Sequence, residues 1–329
     1  HRFAYLKYAL ALVLIFIGFG AIARERERGT LRLLQSHGAS AGQILGGKAL
    51  ALSALAGMLL LPAVVALGWL VAVRGAAPVP ALALLGGYAV YLAIWVLAIV
   101  LASAIAHHAR TALLALIGLW ALTIVLLPRL ASDVALASHP LLTRLETDIA
   151  IQRDLRQLGD SHDPDDPFFT AFRAQTLKQY GVDRVEDLPV NYRGLLAVEG
   201  EKLTSKLFDE YAARQFAEQR AQSRIADGFG AVSPAIALRR ASMALSGTDL
   251  EAHRRFLLQA EAYRFDIVQR LNRLQATAVT YADDSNRNKD PEAGRRVRID
   301  PGHWHDVPDF GYRQATQDEI LRAAFPGLA

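Results

Sequence analysis

The sequence contains no cysteine among its 329 residues. This absence excludes disulfides, thiol catalysis and metal sites built on thiolates, although it is compatible with either side of a membrane. The zinc-hydrolase pattern His-Glu-x-x-His is also missing. We therefore predict no catalytic residue, no resident metal and no cofactor in this chain.

Acidic residues are scarce in the first 130 residues, where Glu25 and Glu27 stand against ten lysines and arginines. The rest of the chain holds 30 acidic and 26 basic residues. The formal net charge of +4 therefore hides an excess of eight positive charges in the first part and of four negative charges in the second. The basic residues are scattered through short loops, so we predict no nucleic-acid partner.

Four uncharged or nearly uncharged apolar runs lie within this first part, at 3–23, 49–73, 81–105 and 111–127. Since a helix rises about 1.5 Å per residue, the first three runs can cross a hydrocarbon layer of about 30 Å, and the fourth can be extended to Leu130. Five lysines and arginines lie between runs one and two and Arg110 lies between runs three and four, against Arg74 and Arg129 at the other ends of the spans. This excess predicts that the loops between runs one and two and between runs three and four are cytoplasmic. The fold class that we predict is all-α, with four membrane spans in residues 1–130.

The charged segment between the first two runs, residues 24–48, has the features of a helical elbow, and we use that name for it. Gly29 permits a break after the first span, and Thr30 is expected to cap a short helix. Ser40 with Gln43 has the spacing of a capping box, which predicts that a new helix begins there and runs into the second span.

The elbow also contains a partial phosphate-binding motif. Gly42 is followed after four residues by Gly47 and Lys48, but the next residue is Ala49, which has no hydroxyl for a metal ion. No strand pattern precedes the motif, and a membrane span follows it. We therefore exclude ATP binding by this segment and assign any ATP hydrolysis to a partner.

The elbow contains, in order, Glu25-Arg26-Glu27-Arg28-Gly29-Thr30-Leu31, Leu33-Leu34, a small turn and Ile44-Leu45-Gly46-Gly47-Lys48. This order resembles the cytoplasmic loop of ABC-2-type permeases, in the branch labelled as involved in multicopper-enzyme maturation. The resemblance implies a membrane-embedded permease subunit, with export the expected direction, in a bacterial cytoplasmic membrane. It also implies a separate ABC ATPase subunit, and a second permease copy or a sibling permease, as partners. The ATPase-coupling residues would be Glu25, Arg26, Glu27, Arg28, Gly29, Thr30, Leu31, Leu33 and Leu34.

Residues 131–329 have helical patterning, and we expect an extracytoplasmic helical domain that leads to a final span beyond the sequence. Ser233-Pro234 is typical of a helix start, Thr248 or Asp249 can cap a further long helix, and residues 281–302 are expected to form an exposed loop. Thr316 with Glu319 predicts the last helix. The region 233–264 resembles the extracytoplasmic part of a poorly characterised subfamily of the same permeases.

Two alternatives remain open. The chain can be a mechanical transmitter that uses ATP-driven motion to act on an extracytoplasmic partner without transporting anything. It can also be a membrane-anchored metal chaperone built on His303 and His305, although two histidines alone do not complete a coordination shell. His107 and His108 are interpreted as an interfacial turn.

Overall fold

The computed structural model describes residues 2–159, 163 and 165–325, and these residues form helices without any strand. The α-helices are α1 (Arg2–Gly18), α2 (Ala23–Glu27), α3 (Thr30–Ser36), α4 (Ala41–Arg74), α5 (Pro78–Ile105), α6 (Ala109–Trp120), α7 (Leu127–Ser138), α8 (Arg144–Leu158), α9 (Pro167–Tyr180), α10 (Tyr192–Gly228), α11 (Pro234–Leu245), α12 (Leu250–Ala278), α13 (Tyr281–Asn286), α14 (Pro291–Arg296) and α15 (Gln317–Ala324).

Contacts divide the chain into two compact units. Unit 1 comprises His1–His139, Arg220–His253 and Gln314–Ala329, and unit 2 comprises Pro140–Gln219 and Arg254–Arg313. The sequence-based division at residue 130 assigns residues 220–253 and 314–325 to the second domain, whereas their contacts group them with the N-terminal helices.

Four helical segments are long and apolar enough to cross a membrane, namely Tyr8–Glu27, Ala41–Arg74, Pro78–Ile105 and Ala109–Ser138. The predicted all-α fold with four spans is therefore confirmed. The fourth segment continues to Ser138 instead of ending near residue 130. Pro128 does not end the helical segment, because it lies in the first turn of α7, where its missing N–H is tolerated. A π-helical stretch, Ala121–Leu126, connects α6 to this turn.

The core of unit 1 is centred on α5. Tyr91, Leu92, Trp95 and Ile99 are almost fully buried against α1, α4 and α6. By contrast, most of α4 is exposed, and the exposed side chains between its two ends are almost all apolar, as expected of a helix that faces lipid. A side chain at Gly18 would collide with side chains of α4 and α5, so this glycine permits their close approach.

Helix α11 packs on α5 and α15 through a face of small and apolar side chains. Ala235 and Leu238 join the core of unit 1, while Ala244 and Leu245 pack with Ala324 of α15. This apolar face explains why residues 220–253 belong to unit 1. The helix starts predicted at Ser233 and at Thr316 are both confirmed, and Asp249, not Thr248, caps the N-terminus of α12.

Unit 2 contains a buried polar cluster around Asp284, whose side chain is 2% exposed. Its carboxylate accepts hydrogen bonds of 2.9 Å from the side-chain amides of Asn191 and Gln275. Asp284 lies on α13, so the prediction of an exposed loop over residues 281–302 is wrong for this segment. Polar contacts, not apolar ones, hold this helix in place, so its sequence lacks the periodic apolar residues from which a helix is predicted.

Candidate functional site: the elbow

The elbow consists of α2, α3 and the beginning of α4. Gly29 separates the two short helices with φ at 75°, a left-handed conformation that glycine adopts without strain, and it occupies the N-cap position of α3. The prediction that Thr30 caps α3 is therefore wrong, and its hydroxyl instead donates to the Glu25 carbonyl at 3.2 Å. The predicted capping box is confirmed, with Ser40 and Gln43 bonded reciprocally at 2.9 and 3.2 Å.

Ser103, near the end of α5, binds the start of α2. Its hydroxyl oxygen accepts hydrogen bonds from the backbone N–H groups of Ile22 at 3.0 Å and Ala23 at 3.1 Å. Such N–H groups have no partner within their own helix, and here they are removed from solvent because Ser103 is completely buried. The serine therefore fixes the first turn of α2 against α5.

Arg26 binds the C-terminus of α5. Its guanidinium donates to the carbonyl oxygens of Ala104 at 2.6 Å and Ala106 at 2.5 Å. The last carbonyls of a helix lack partners in the helix and carry the negative end of its dipole, so a cation at this position is stabilising. Arg26 is thus a charged cap for α5.

Glu27 binds the N-terminus of α6. Its carboxylate accepts a hydrogen bond from the Ala109 backbone N–H at 3.0 Å and lies 3.3 Å from the His108 Nδ1. A carboxylate is favoured at this end of a helix by the dipole. Arg26 and Glu27, two consecutive residues of opposite charge, therefore cap the two helix ends on either side of the turn between α5 and α6. His108, which the sequence places in an interfacial turn, contacts Glu27 there.

Glu25 connects α2 to α4 through an ion pair of 2.5 Å with Lys48. Both side chains are partly buried, with about a quarter of Glu25 and a third of Lys48 exposed. Lys48, Gly42 and Gly47 all lie within or at the start of the continuous helix α4, so the partial phosphate-binding motif does not form a loop.

The segment Gly38-Ala39-Ser40-Ala41-Gly42 has the spacing of the nucleophile elbow of hydrolases. That motif follows a strand, whereas here it follows α3, and the Ser40 hydroxyl accepts the Gln43 N–H. Ser40 therefore acts as a helix cap.

Three of the remaining predicted residues, Arg28, Leu33 and Leu34, form an exposed face together with the neighbouring Arg32, and we call it the α3 face. Leu33 is 58% and Leu34 41% exposed, while Leu31 packs against the core of unit 1. Neither arginine forms an ion pair with any residue that the structure describes. The nine predicted coupling residues thus include three anchors that bond to other helices, namely Glu25, Arg26 and Glu27, and members of an exposed surface.

Motif analysis did not identify Ser103 or the carbonyls of Ala104 and Ala106 as parts of the elbow. They lie about 80 positions from α2, and the single signal in the sequence is a lone serine near the end of an apolar run. Elsewhere, His303 lies in a 3-10 turn, Pro301–Trp304. Within the described ranges, no group of three or more His, Cys, Asp or Glu is arranged to hold a metal ion.

Comparison with known families gives two matches. Residues 2–175, more than half of the chain, match the model of the ABC-2 family transporter protein. Residues 144–313 match a domain of unknown function, DUF3526. Searches among curated proteins and among solved structures gave no match. The chain is therefore a multi-pass membrane protein that belongs to the ABC-2 transporter family and carries a DUF3526 domain.

Proposed function

We propose that this permease subunit couples ATP hydrolysis by a separate ATPase subunit to export of a substrate, and that the elbow is the coupling element. In this proposal the elbow is cytoplasmic, residues 131–329 are largely extracytoplasmic, and the permease works as a homodimer or with a sibling permease. The observation that supports the proposal is the division of the elbow into an exposed face and a set of anchors that bond to the spans.

The α3 face would bind the ATPase. It combines two unpaired arginines with two exposed leucines, which is the composition expected of a docking surface with an apolar centre and a charged rim. The leucines can also contact membrane lipid when the ATPase is absent. The anchors Glu25, Arg26 and Glu27 would then transmit a displacement of α3 to the spans, because each is bonded to a different span.

A cysteine cross-linking experiment tests this proposal, and the cysteine-free sequence provides the background. His37→Cys places a thiol on the exposed C-terminus of α3, and Ala76→Cys places one in the exposed turn between α4 and α5 as the matched control. In intact cells, we expect His37→Cys to cross-link to the ATPase in a nucleotide-dependent manner. Ala76→Cys should instead react with an impermeant thiol reagent from outside. Reaction of His37→Cys from outside would invert the topology and contradict the proposal.

The mechanical transmitter is supported as a second candidate by two helices. Helix α10 and helix α12 each contain residues of both units without a break. Each helix thus provides a helical path for a displacement, in place of an irregular linker. Glycine pairs inserted in α10 at Arg220 would uncouple the units. If this variant still transports but no longer acts on an extracytoplasmic partner, the second function is supported. If it no longer transports but still acts on the partner, transport is supported.

A further inference from the structure

A cavity of about 380 Å³ lies in unit 1 at the end of the spans remote from the elbow. Its walls come from the start of the first span, from α7, from the end of α10 and from α11. Its lining includes Ala131, Ser223, Asp227, Arg239 and Arg240. The volume is in the range typical of small-molecule sites in proteins.

The position of the cavity along the membrane follows from helix geometry. Ala109 begins the fourth span beside Glu27 of the elbow, and Pro128 lines the cavity. At about 1.5 Å per residue, these two residues are about 28 Å apart along the span, which is close to the thickness of the hydrocarbon layer. The cavity is therefore separated from the elbow by about the thickness of the hydrocarbon layer, on the side where the fourth span continues to Ser138.

The cavity combines an apolar wall with two arginines and one carboxylate, Asp227, which interacts electrostatically with both arginines, so that one positive charge is in excess. Alanines of α7 and the side chains of Leu136, Ile236 and Met243 form the apolar part. Arg240 is paired with Asp227 at 3.3 Å. Arg239 is exposed and has no ion-pair or hydrogen-bond partner among the residues that the structure describes.

We propose that this cavity binds an anionic amphiphile, with its carboxylate or phosphate group on Arg239 and its alkyl chain along the apolar wall. Arginine suits this role because its planar guanidinium binds such oxyanions through two parallel hydrogen bonds. The amphiphile can be an anionic lipid of the bilayer or a free amphiphile. Binding needs no ATPase, so the inference goes beyond the proposed function and is tested separately from it.

The test uses the full chain in nanodiscs of phosphatidylcholine, with Ser223→Cys as a single thiol in the cavity wall. We expect dodecyl phosphate to slow the reaction of this thiol with a maleimide, whereas the neutral dodecanol has a much weaker effect. Arg239→Gln should raise the half-protecting concentration of dodecyl phosphate about tenfold or more, since a charged hydrogen-bonded contact is lost. Arg239→Lys should keep most of the protection.

Arg224→Gln is the matched control, because Arg224 is an exposed arginine of α10 that does not line the cavity. It should leave protection unchanged. Protection in nanodiscs with added phosphatidylglycerol, without dodecyl phosphate, would identify the bilayer as the source of the ligand. Protection by dodecyl phosphate alone would identify a free amphiphile. Equal protection by dodecanol, unchanged protection in Arg239→Gln, or no protection by either anionic probe would overturn the inference.

Discussion

Replacing Arg26 by alanine should detach the elbow from α5 without unfolding the spans. The guanidinium makes two short hydrogen bonds to carbonyls at the end of α5. A hydrogen bond to a charged group contributes about 1.5–3 kcal/mol, and two bonds that share one side chain should together contribute about 2–3 kcal/mol. At 1.4 kcal/mol per factor of ten, Arg26→Ala should raise the detached population of the elbow about 30- to 150-fold.

Amide hydrogen exchange of the full chain measures this population. The backbone N–H groups of Ile22 and Ala23 are bonded to Ser103, and that of Ala109 is bonded to Glu27, so all three are protected only while the elbow is attached. Their exchange should accelerate by the factor given above in Arg26→Ala.

Arg28→Ala is the control, because Arg28 is also a charged residue of the elbow but is exposed and has no ion-pair partner in the described structure. We expect it to weaken ATPase binding without changing exchange. Equal exchange in Arg26→Ala and Arg28→Ala would refute the anchoring role of Arg26.

Three further predictions concern single positions. Gly29→Ala should destabilise the turn between α2 and α3 by about 1–2 kcal/mol, because φ is 75° there, and faster exchange of the α3 amides measures it. Asp284→Ala should cost about 2–4 kcal/mol, because it leaves buried amides such as that of Asn191 without an acceptor; unchanged resistance of α13 to proteolysis would contradict this. The Tyr211 hydroxyl donates a hydrogen bond of 2.6 Å to the Asp154 carboxylate, and this bond holds the pKa of Asp154 below its ordinary value. The resulting stabilisation is present above the unfolded-state pKa, near 4, and is lost as the pH falls through the lowered folded-state pKa. Between pH 6 and pH 3 the melting temperature should therefore fall less in Asp154→Asn than in the native protein.

The sequence predicted helix starts correctly where a side chain forms a hydrogen bond with the backbone of a residue in the same turn. Ser40 with Gln43 and Thr316 with Glu319 are such cases, because both partners of each capping box lie within one turn. The prediction for Thr30 is wrong because two preferences compete at this point: threonine is favoured at an N-cap, and glycine is favoured where φ is positive. The chain must reverse between α2 and α3, and the left-handed conformation required by that turn falls on Gly29.

Long-range polar contacts could not be predicted from the sequence. Ser103 lies 81 residues from Ile22, and Asp284 lies 93 residues from Asn191. Apolar contacts repeat along a helix and leave a period in the sequence, whereas one hydrogen bond between distant residues leaves none. The location of the elbow was therefore accessible, but its attachment to the spans required the structure.

The order of charges in α2 has a geometric consequence for coupling. Successive residues of an α-helix project about 100° apart, so three consecutive side chains point in three directions. Glu25 bonds to Lys48 of α4, Arg26 to the end of α5 and Glu27 to the start of α6, while α2 itself follows α1 along the chain. A helix of five residues is thus connected to all four spans. A force applied to the adjacent α3 face would reach every span through these bonds. Neutralising any one of the three charges should weaken the attachment of α2 as a whole, because the three bonds hold one short helix.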